Sequence, residues 1–393
     1  MVTDLENDLC TAAPVPRLNM KAVGVTLFAA VLAVVVFALA GASATPVGPH
    51  AGSTGAVFVM SNSPSGNQVL AYERSPSGQL TWIETVPAHG NGTGASLADQ
   101  GSLVATHDHE WLLAVDAGSN QISVFRVDVS SSSHPLTFRD VVSSGGIEPV
   151  SIAIHRPFVY VLNAGSTISQ GNIAGFRLLA GGQLVPLPGS TQPLSQTGAT
   201  GPAQISFNPS GTVLVVTEKA TSLLDAYTVN AQGVASGPIT HPSNGNTPYG
   251  FAFDPQGVLI VSEAGPGALS SYSVSNMGGI DGISHSVTDL QTAPCWVVAT
   301  GNDRFAYTSN ADSDSISSYV IGGSGSLTLL QSVAAATNAG PTDLALTSYG
   351  GFLYVYDSGA HDLQGFHVNG DGTLAWVVTA GSLPAGAEGL VAV

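Results

Sequence analysis

The sequence predicts an all-β protein, a seven-bladed β-propeller whose ring is closed by its C-terminal strand pairing in the first blade. Composition is the first reason. The 393 residues include 47 glycines and 23 prolines, only 9% are charged, and valine, serine and threonine are scattered throughout, which suits many short strands joined by tight turns. No stretch after residue 45 reads as a long amphipathic helix. The second reason is a repeat. Seven segments place an aliphatic residue three positions before an aromatic: Val69/Tyr72, Ile122/Phe125, Ile173/Phe176, Leu224/Tyr227, Leu269/Tyr272, Ile316/Tyr319 and Leu363/Phe366. Successive aromatics lie 53, 51, 51, 45, 47 and 47 residues apart, room for four short strands with their turns. The third reason is that the two ends complement each other.

Each unit has one internal order. A proline-led inner strand (PVSIAIH, PAQISFN, PYGFAFD, PCWVVAT, PTDLALT) passes through a turn to a second strand such as VYVLN or LVVTE. The aromatic third strand follows, and in several units a G-x-L fourth strand ends the blade, as in GQLTWIE and GTLAWVV. An odd spacing puts the aliphatic and the aromatic on opposite faces of their strand. Blades pack on both neighbours, so both residues are expected to be buried. The first unit starts at AVFVMSN, already a second strand, and the C-terminal AEGLVAV has the inner-strand pattern. Val393 is therefore expected in the same blade as Ala56, removing the free sheet edges.

The expected division is an N-terminal extension and signal peptide over 1–44, a linker over 45–55 and the propeller over 56–393. Ala22 to Ala40 is an uncharged apolar block preceded by Arg17 and Lys21, and Ala42 and Ala44 form an A-x-A cleavage pattern before Thr45. Met20-Lys21 would itself open a good signal peptide. Nineteen apolar residues also suffice to span a bilayer, so an uncleaved anchor is the rival. Either way the propeller is expected outside the cytosol, secreted or held by that anchor, with membrane contact only through this segment.

Acidic residues outnumber basic ones 26 to 9, and the excess survives removal of the N-terminus. Nucleic acid and anionic lipid are thereby disfavoured. Cys10 and Cys295 are the two cysteines, so no disulfide framework is expected once the leader is removed. Neither cofactor nor metal is implied, and a monomer is expected.

Adjacent antiparallel strands bring the start of the inner strand and the end of the second strand to one end of each blade. The second strand ends in a polar residue throughout: Asn62, Asp116, Asn163, Glu218, Glu263, Asn310 and Asp357. Seven such groups would ring the channel on its ligand-binding face. Asn and Asp also open turns by bonding nearby backbone, and for these five that account competes directly. Glutamate is a poorer turn residue, so Glu218 and Glu263 stand out as a carboxylate pair. Gln204 and Asp343 at inner-strand starts, Lys219 beside Glu218, His89 and His241 in blade-joining loops and His361 fall on the same face. The run His107-Asp108-His109-Glu110 falls in a turn on the far face without a third ligand, and Cys295-Trp296 reads as channel-wall packing.

The phrases GPAQISFNPSGTVLVVTEKATSLLDAY, SNQISVFRVD and GPTDLALTSYGGFLYVYDSG resemble the seven-bladed lactonase propellers, the family of 6-phosphogluconolactonase and the fungal carboxymuconate-lactonizing enzymes, over about Gly55 to Val393. The resemblance implies a lactone hydrolase. It also marks departures. Active members carry G-P-R-H at one inner-strand start and N-E at the end of the next strand; here these are Gly201-Pro202-Ala203-Gln204 and Thr217-Glu218. A family arginine after the sixth second strand is replaced by Ala311, and an early histidine has no counterpart in Gln100 to Leu103. Without guanidinium forks on the binding face, phosphorylated or polyanionic substrates are disfavoured.

The expected function is an exported lactonase-like hydrolase acting on a neutral or weakly charged lactone. Glu218 would be the general base, with Glu263, Gln204 and Lys219 as catalytic helpers and Asn62, Asp116, Asn163, Asn310, Asp357, Asp343 and His241 binding the ligand. The alternative is a non-catalytic surface propeller that binds a glycan, peptide or protein. A Ca²⁺-dependent lactonase using the Asn/Asp/Glu ring is a third reading.

Overall fold

The computed structural model describes residues 54–131 and 133–393, so the apolar segment and its cleavage pattern lie outside the described residues. Among the described residues no helix is long and apolar enough to cross a membrane. Seven antiparallel sheets follow one another, six with four strands and one with five. Blade four is typical: inner strand Pro202–Phe207, then Val213–Glu218, Leu223–Val229 and outer Ala235–Pro242. Inner strands of successive blades pack side by side around the axis, and the C-terminal Glu388–Ala392 sits between Pro341–Leu346 and Leu103–Ala105.

Closure follows the expected route. Glu388–Ala392 pairs with Gly55–Met60, and beyond it Val393 and Ala56 exchange backbone hydrogen bonds of 2.9 and 3.1 Å. The first paired strand begins at Gly55, one residue before the expected boundary.

All seven aliphatic/aromatic pairs are buried, because each blade is covered on both faces. In six blades the pairing of third and fourth strands slips by a residue near the aromatic, a bulge that bends the outer strand. Blade three instead breaks its outer strand into Leu184–Pro186 and Gln192–Pro193. The glycine in the turn before the fourth strand has a steric reason. Gly233 sits in the hairpin turn at φ +84°, and a Cβ there would lie 2.2 Å from the Phe158 ring of the preceding blade. Tyr160 of that blade donates to the Gly233 carbonyl at 2.7 Å. Tyr307 with Gly372 and Tyr354 with Gly78 repeat the contact.

Candidate functional site

The register of second and third strands defines which polar residues are equivalent. Counting four residues on from the partner of each aromatic gives Asp116, Asn163, Glu218, Glu263, Asn310 and Asp357. In blade one the same count gives Ser61, so Asn62 lies one position beyond the ring in which the sequence placed it. All seven ring positions are buried.

Asn163, Glu218 and Glu263 hold the loops that deliver the chain from the blade before, whereas Asp116 bonds the first hairpin of blade one and the third strand of its own blade, and Asn310 bonds the third strand of its own blade. Glu218 accepts Ser195 N at 3.0 Å, Ser195 Oγ at 2.5 Å and Thr221 Oγ1 at 2.7 Å. Glu263 accepts Gly245 N at 2.8 Å and Ser286 Oγ at 2.5 Å, with Ser243 and Tyr272 hydroxyls at 3.3 Å. The two glutamates belong to separate hydrogen-bond sets in their own blades, which corrects the expectation of a carboxylate pair at the channel. Asp116 accepts Asn67 Nδ2 at 2.9 Å and Ser123 Oγ at 2.5 Å. Asn163 donates to Ser144 O at 3.3 Å and Asn310 to Ser315 and Ser317. Burial, with Asp362 beside it, pushes the Asp357 carboxyl up to about 9. Loop anchoring is what short polar side chains at strand ends do best, and in blades four and five glutamate serves the same purpose.

What converges on the axis is the set of inner-strand starts. There the structure places Glu388, Asp99 and Gln100, Gln204, Tyr249, Trp296 and Asp343, with Lys219 reaching in from the end of a second strand. The chain itself crosses this space. Leu97 N donates to Glu388 Oε1 at 2.9 Å, the Ala98 carbonyl accepts Lys219 Nζ, and the Asp99 carbonyl accepts Trp296 Nε1 at 2.7 Å. Gln100 donates from its backbone to Ala203 O at 3.0 Å and bonds the Val297 backbone through both ends of its amide. Blades one, three, four and six thus meet on one five-residue segment, since Ile152 N also donates to Gly101 O.

Charge at the axis is unbalanced. Lys219 is the only lysine among the described residues, stands 4.6 Å from the centre of the Tyr249 ring and is 8% exposed. Burial pushes its amine down to about 8, against the pull of Asp99 and Glu388. Burial pushes Glu388 up to about 7, with Ser96, Leu97 and Lys219 opposing. Asp99 and Asp343 are driven well above the usual carboxylate range, first by burial and then by neighbouring acids. Both Asp99 carboxylate oxygens and the Tyr249 hydroxyl are buried without a hydrogen-bond partner.

Of the other sequence candidates, Gln204 Oε1 accepts Phe251 N at 2.6 Å and joins two inner strands. His241 is corrected: it lies in outer strand Ala235–Pro242, away from the axis, with Nε2 2.8 Å from Gly278 O. His89 lies 4.2 Å from the Phe138 ring, and His361 is exposed. In the far-face turn Asp108 and Glu110 pair with Arg156, and His109 bonds Ser348. Cys295 is buried in the channel wall, its Sγ 3.2 Å from the Ala293 carbonyl. Among the described residues no group of three or more His, Cys, Asp or Glu is placed to hold a metal. Sequence reasoning missed Glu388, Asp99, Gln100 and Tyr249; aligning inner-strand starts would have raised Glu388, the first polar residue of the closing strand.

Residues 274–388 match the family described as "Lactonase, 7-bladed beta-propeller". The chain is similar to the seven-bladed lactonase propellers. Solved structures agree on the fold. A protein from Lactobacillus plantarum superposes with a TM-score of 0.71 at 16% identity, covering 87% of this chain and 100% of that one. The periplasmic gluconolactonase of Pseudomonas aeruginosa gives 0.69 at 15% identity, covering 87% and 99%. A candidate 6-phosphogluconolactonase from Bacteroides fragilis gives 0.64 at 16%, covering 86% and 98%. No curated protein matches the chain. Against the lactonase-propeller pattern, the position of the missing histidine is held by Gln204, whose amide oxygen is already committed to Phe251 N.

Proposed function

We propose that the axial cluster is the active site of an exported lactonase-like hydrolase acting on a neutral or weakly charged lactone. The observation that carries the reading is the meeting of Lys219 and Glu388 on one segment at the axis, an amine and a carboxyl whose burial moves both toward neutrality. Groups poised near the working pH exchange protons most effectively. Glu388, in place of Glu218, would take a proton from water as it attacks the lactone carbonyl. Lys219 would donate to the oxygen that becomes negative. Collapse of the tetrahedral intermediate breaks the ring C–O bond, and the leaving alkoxide takes the proton from Glu388, giving a hydroxy acid.

Lactones are favoured as the class by the matched family and by the gluconolactonase named among the structural neighbours. Neutral ones are favoured by charge. Arg126 and Arg156 are engaged with Glu110 on the far face, Arg304 donates to Gly370 O and Arg177 stacks on Phe158, so three carboxyl groups face one amine at the axis. Export is supported by the apolar block Ala22 to Ala40 and its A-x-A pattern.

The second reading is a non-catalytic binding propeller, favoured by one observation: Lys219, Glu388, Asp343 and Asp99 are all at most 8% exposed. Hydrolysis of neutral, carboxylated and phosphorylated lactones by the full chain separates the two. Saturable turnover of neutral lactones, lost in Glu388→Gln and kept in a surface control, supports the hydrolase; no turnover on any of them turns the assignment to binding.

A further inference from the structure

Residues Ala95 to Gly101 differ from an ordinary blade-joining loop in how they are held. Four successive residues give up backbone groups to side chains from four different blades. Leu97 N goes to Glu388, the Ala98 carbonyl to Lys219, the Asp99 carbonyl to Trp296 Nε1, and the Gln100 carbonyl to Ser151 Oγ at 2.6 Å. Contacts that satisfy the backbone N–H and C=O groups of a segment hold it whatever its side chains.

The same segment is poorly matched to its surroundings. Ala98 is held at φ +51°, a left-handed conformation that costs an L-residue free energy. Asp99 brings a carboxyl with both oxygens unpartnered into a space that already holds Asp343 and Glu388. Outward of it, Gly94, Ala95 and Ser96 are exposed. Their tether is Asn62, which accepts Thr93 N at 2.9 Å and donates to Thr93 Oγ1 at 3.2 Å and to Ala95 O at 2.8 Å. That gives Asn62 a role at the channel mouth that its place beside the polar ring did not suggest.

We propose that Ala95–Gly101 is a displaceable strap lying in a groove that reads peptide backbone, so that a peptide segment adopting the strap's conformation can take its place in the channel. The inference rests on the proposed function only in using the same channel as the site. A ligand residue without a carboxyl at the Asp99 position would make the same backbone bonds and remove an acid from among acids.

Lys219 is the reporter, because the only other lysine of the chain is Lys21. The full-length protein is treated with N-hydroxysuccinimidyl acetate under native conditions and acetylation of Lys219 is followed by peptide mass spectrometry. In Asn62→Ala the rate is expected to rise about tenfold, the change produced by losing one or two net hydrogen bonds, and the blocked synthetic peptide Ala95–Gly101 at millimolar concentration is expected to reverse most of it. Acetylation that proceeds only as fast as global unfolding in both proteins would overturn the proposal, making the segment a fixed hub. A faster rate that the peptide leaves untouched would overturn it too. Should Asn62→Ala fail to fold, hydrogen exchange of the Leu97 and Gln100 amides in the unaltered protein decides: opening below the global unfolding free energy supports the strap, and exchange only through global unfolding removes it. Lactone turnover is a separate readout, so its absence together with peptide protection would retire the hydrolase and leave this inference standing.

Discussion

Glu218 and Lys219 are consecutive in sequence yet serve opposite sides of blade four. Glu218 binds the Ser195 loop inside the propeller wall, while Lys219 donates to the Ala98 carbonyl at the axis. Neighbouring residues of an extended chain point to opposite faces, and the bend after the strand carries the lysine inward. A structural anchor and a residue of the proposed active site are thus separated by one position.

That separation predicts how substitutions divide. Glu388→Gln and Lys219→Met are expected to lower lactone kcat/KM by about 10²–10⁴-fold, the usual contribution of a positioned proton-transfer group, with intact far-UV circular dichroism. Glu218→Ala leaves the partly buried Ser195 N–H without its acceptor and is expected to cost about 1–3 kcal/mol of stability with turnover of the folded fraction retained. Parallel urea melts and steady-state kinetics on the three variants check this. Equal loss of turnover in all three would return Glu218 to the chemistry.

The blade count and ring closure were legible in the sequence because they rest on period and burial. Seven aliphatic/aromatic pairs recur at one spacing, and a strand needs a partner at each edge. Of the axial cluster, the positions were partly legible. Lys219, Gln204 and Asp343 were drawn from strand ends, and the register places them around the axis. Glu218, Glu263 and Asp357 come from equally polar strand ends, yet side-chain direction, which depends on where each second strand stops, takes them into the wall. Asp99 and Gln100 were out of reach, since nothing local tells a loop that skirts the channel from one that crosses it. Asn62 slipped by one position because in blade one the register position is taken by Ser61 and the asparagine follows it.

The turn glycines predict a paired stability experiment. Gly233→Ala adds a methyl at φ +84° within 2.2 Å of the Phe158 ring; the left-handed conformation alone costs about 1–2 kcal/mol, and the overlap adds to it. Gly323→Ala, whose Cβ would meet nothing within 4 Å and whose φ is unrestricted, is expected to stay within about 0.5 kcal/mol. Denaturant midpoints measure both. Similar midpoints would show that the inter-blade contact gives way without cost.

Ring closure predicts the result of a truncation. Removing 388–393 deletes Glu388–Ala392 and exposes the Gly55–Met60 edge, together with one face of two neighbouring inner strands. The shortened chain is expected to aggregate or to lose its cooperative transition, as open hydrophobic edges do. The point substitution Leu390→Ala, at a side chain 5% exposed, is expected to cost about 2–5 kcal/mol. Size-exclusion chromatography and thermal unfolding read both, and a monomeric, cooperatively melting truncation would show that seven blades hold without their closing strand.

The buried acids predict a stability that falls as pH rises. Burial, with Glu218 beside it, raises Asp225 to about 8, and burial with Asp362 raises Asp357 to about 9. Burial alone leads for Asp116 and Asp289, each raised to about 6, and for Glu388, raised to about 7. In the unfolded chain such groups titrate near 4. Between those limits the folded state holds more protons than the unfolded one, so the slope of unfolding free energy with pH is negative, about 1.4 kcal/mol per pH unit for each group still protonated. The favourable contribution is complete below about pH 4 and is lost as pH passes 6, 7, 8 and 9 in turn. Lys219 has the opposite sign, but its folded value near 8 places that effect between pH 8 and 10.5. Thermal melts from pH 4.5 to 9 should therefore show Tm declining throughout, and Asp357→Asn, which is neutral at every pH, should flatten the alkaline end of the curve. A Tm that is level or rising from pH 5 to 8 would mean that these carboxyls ionise inside the folded protein without penalty.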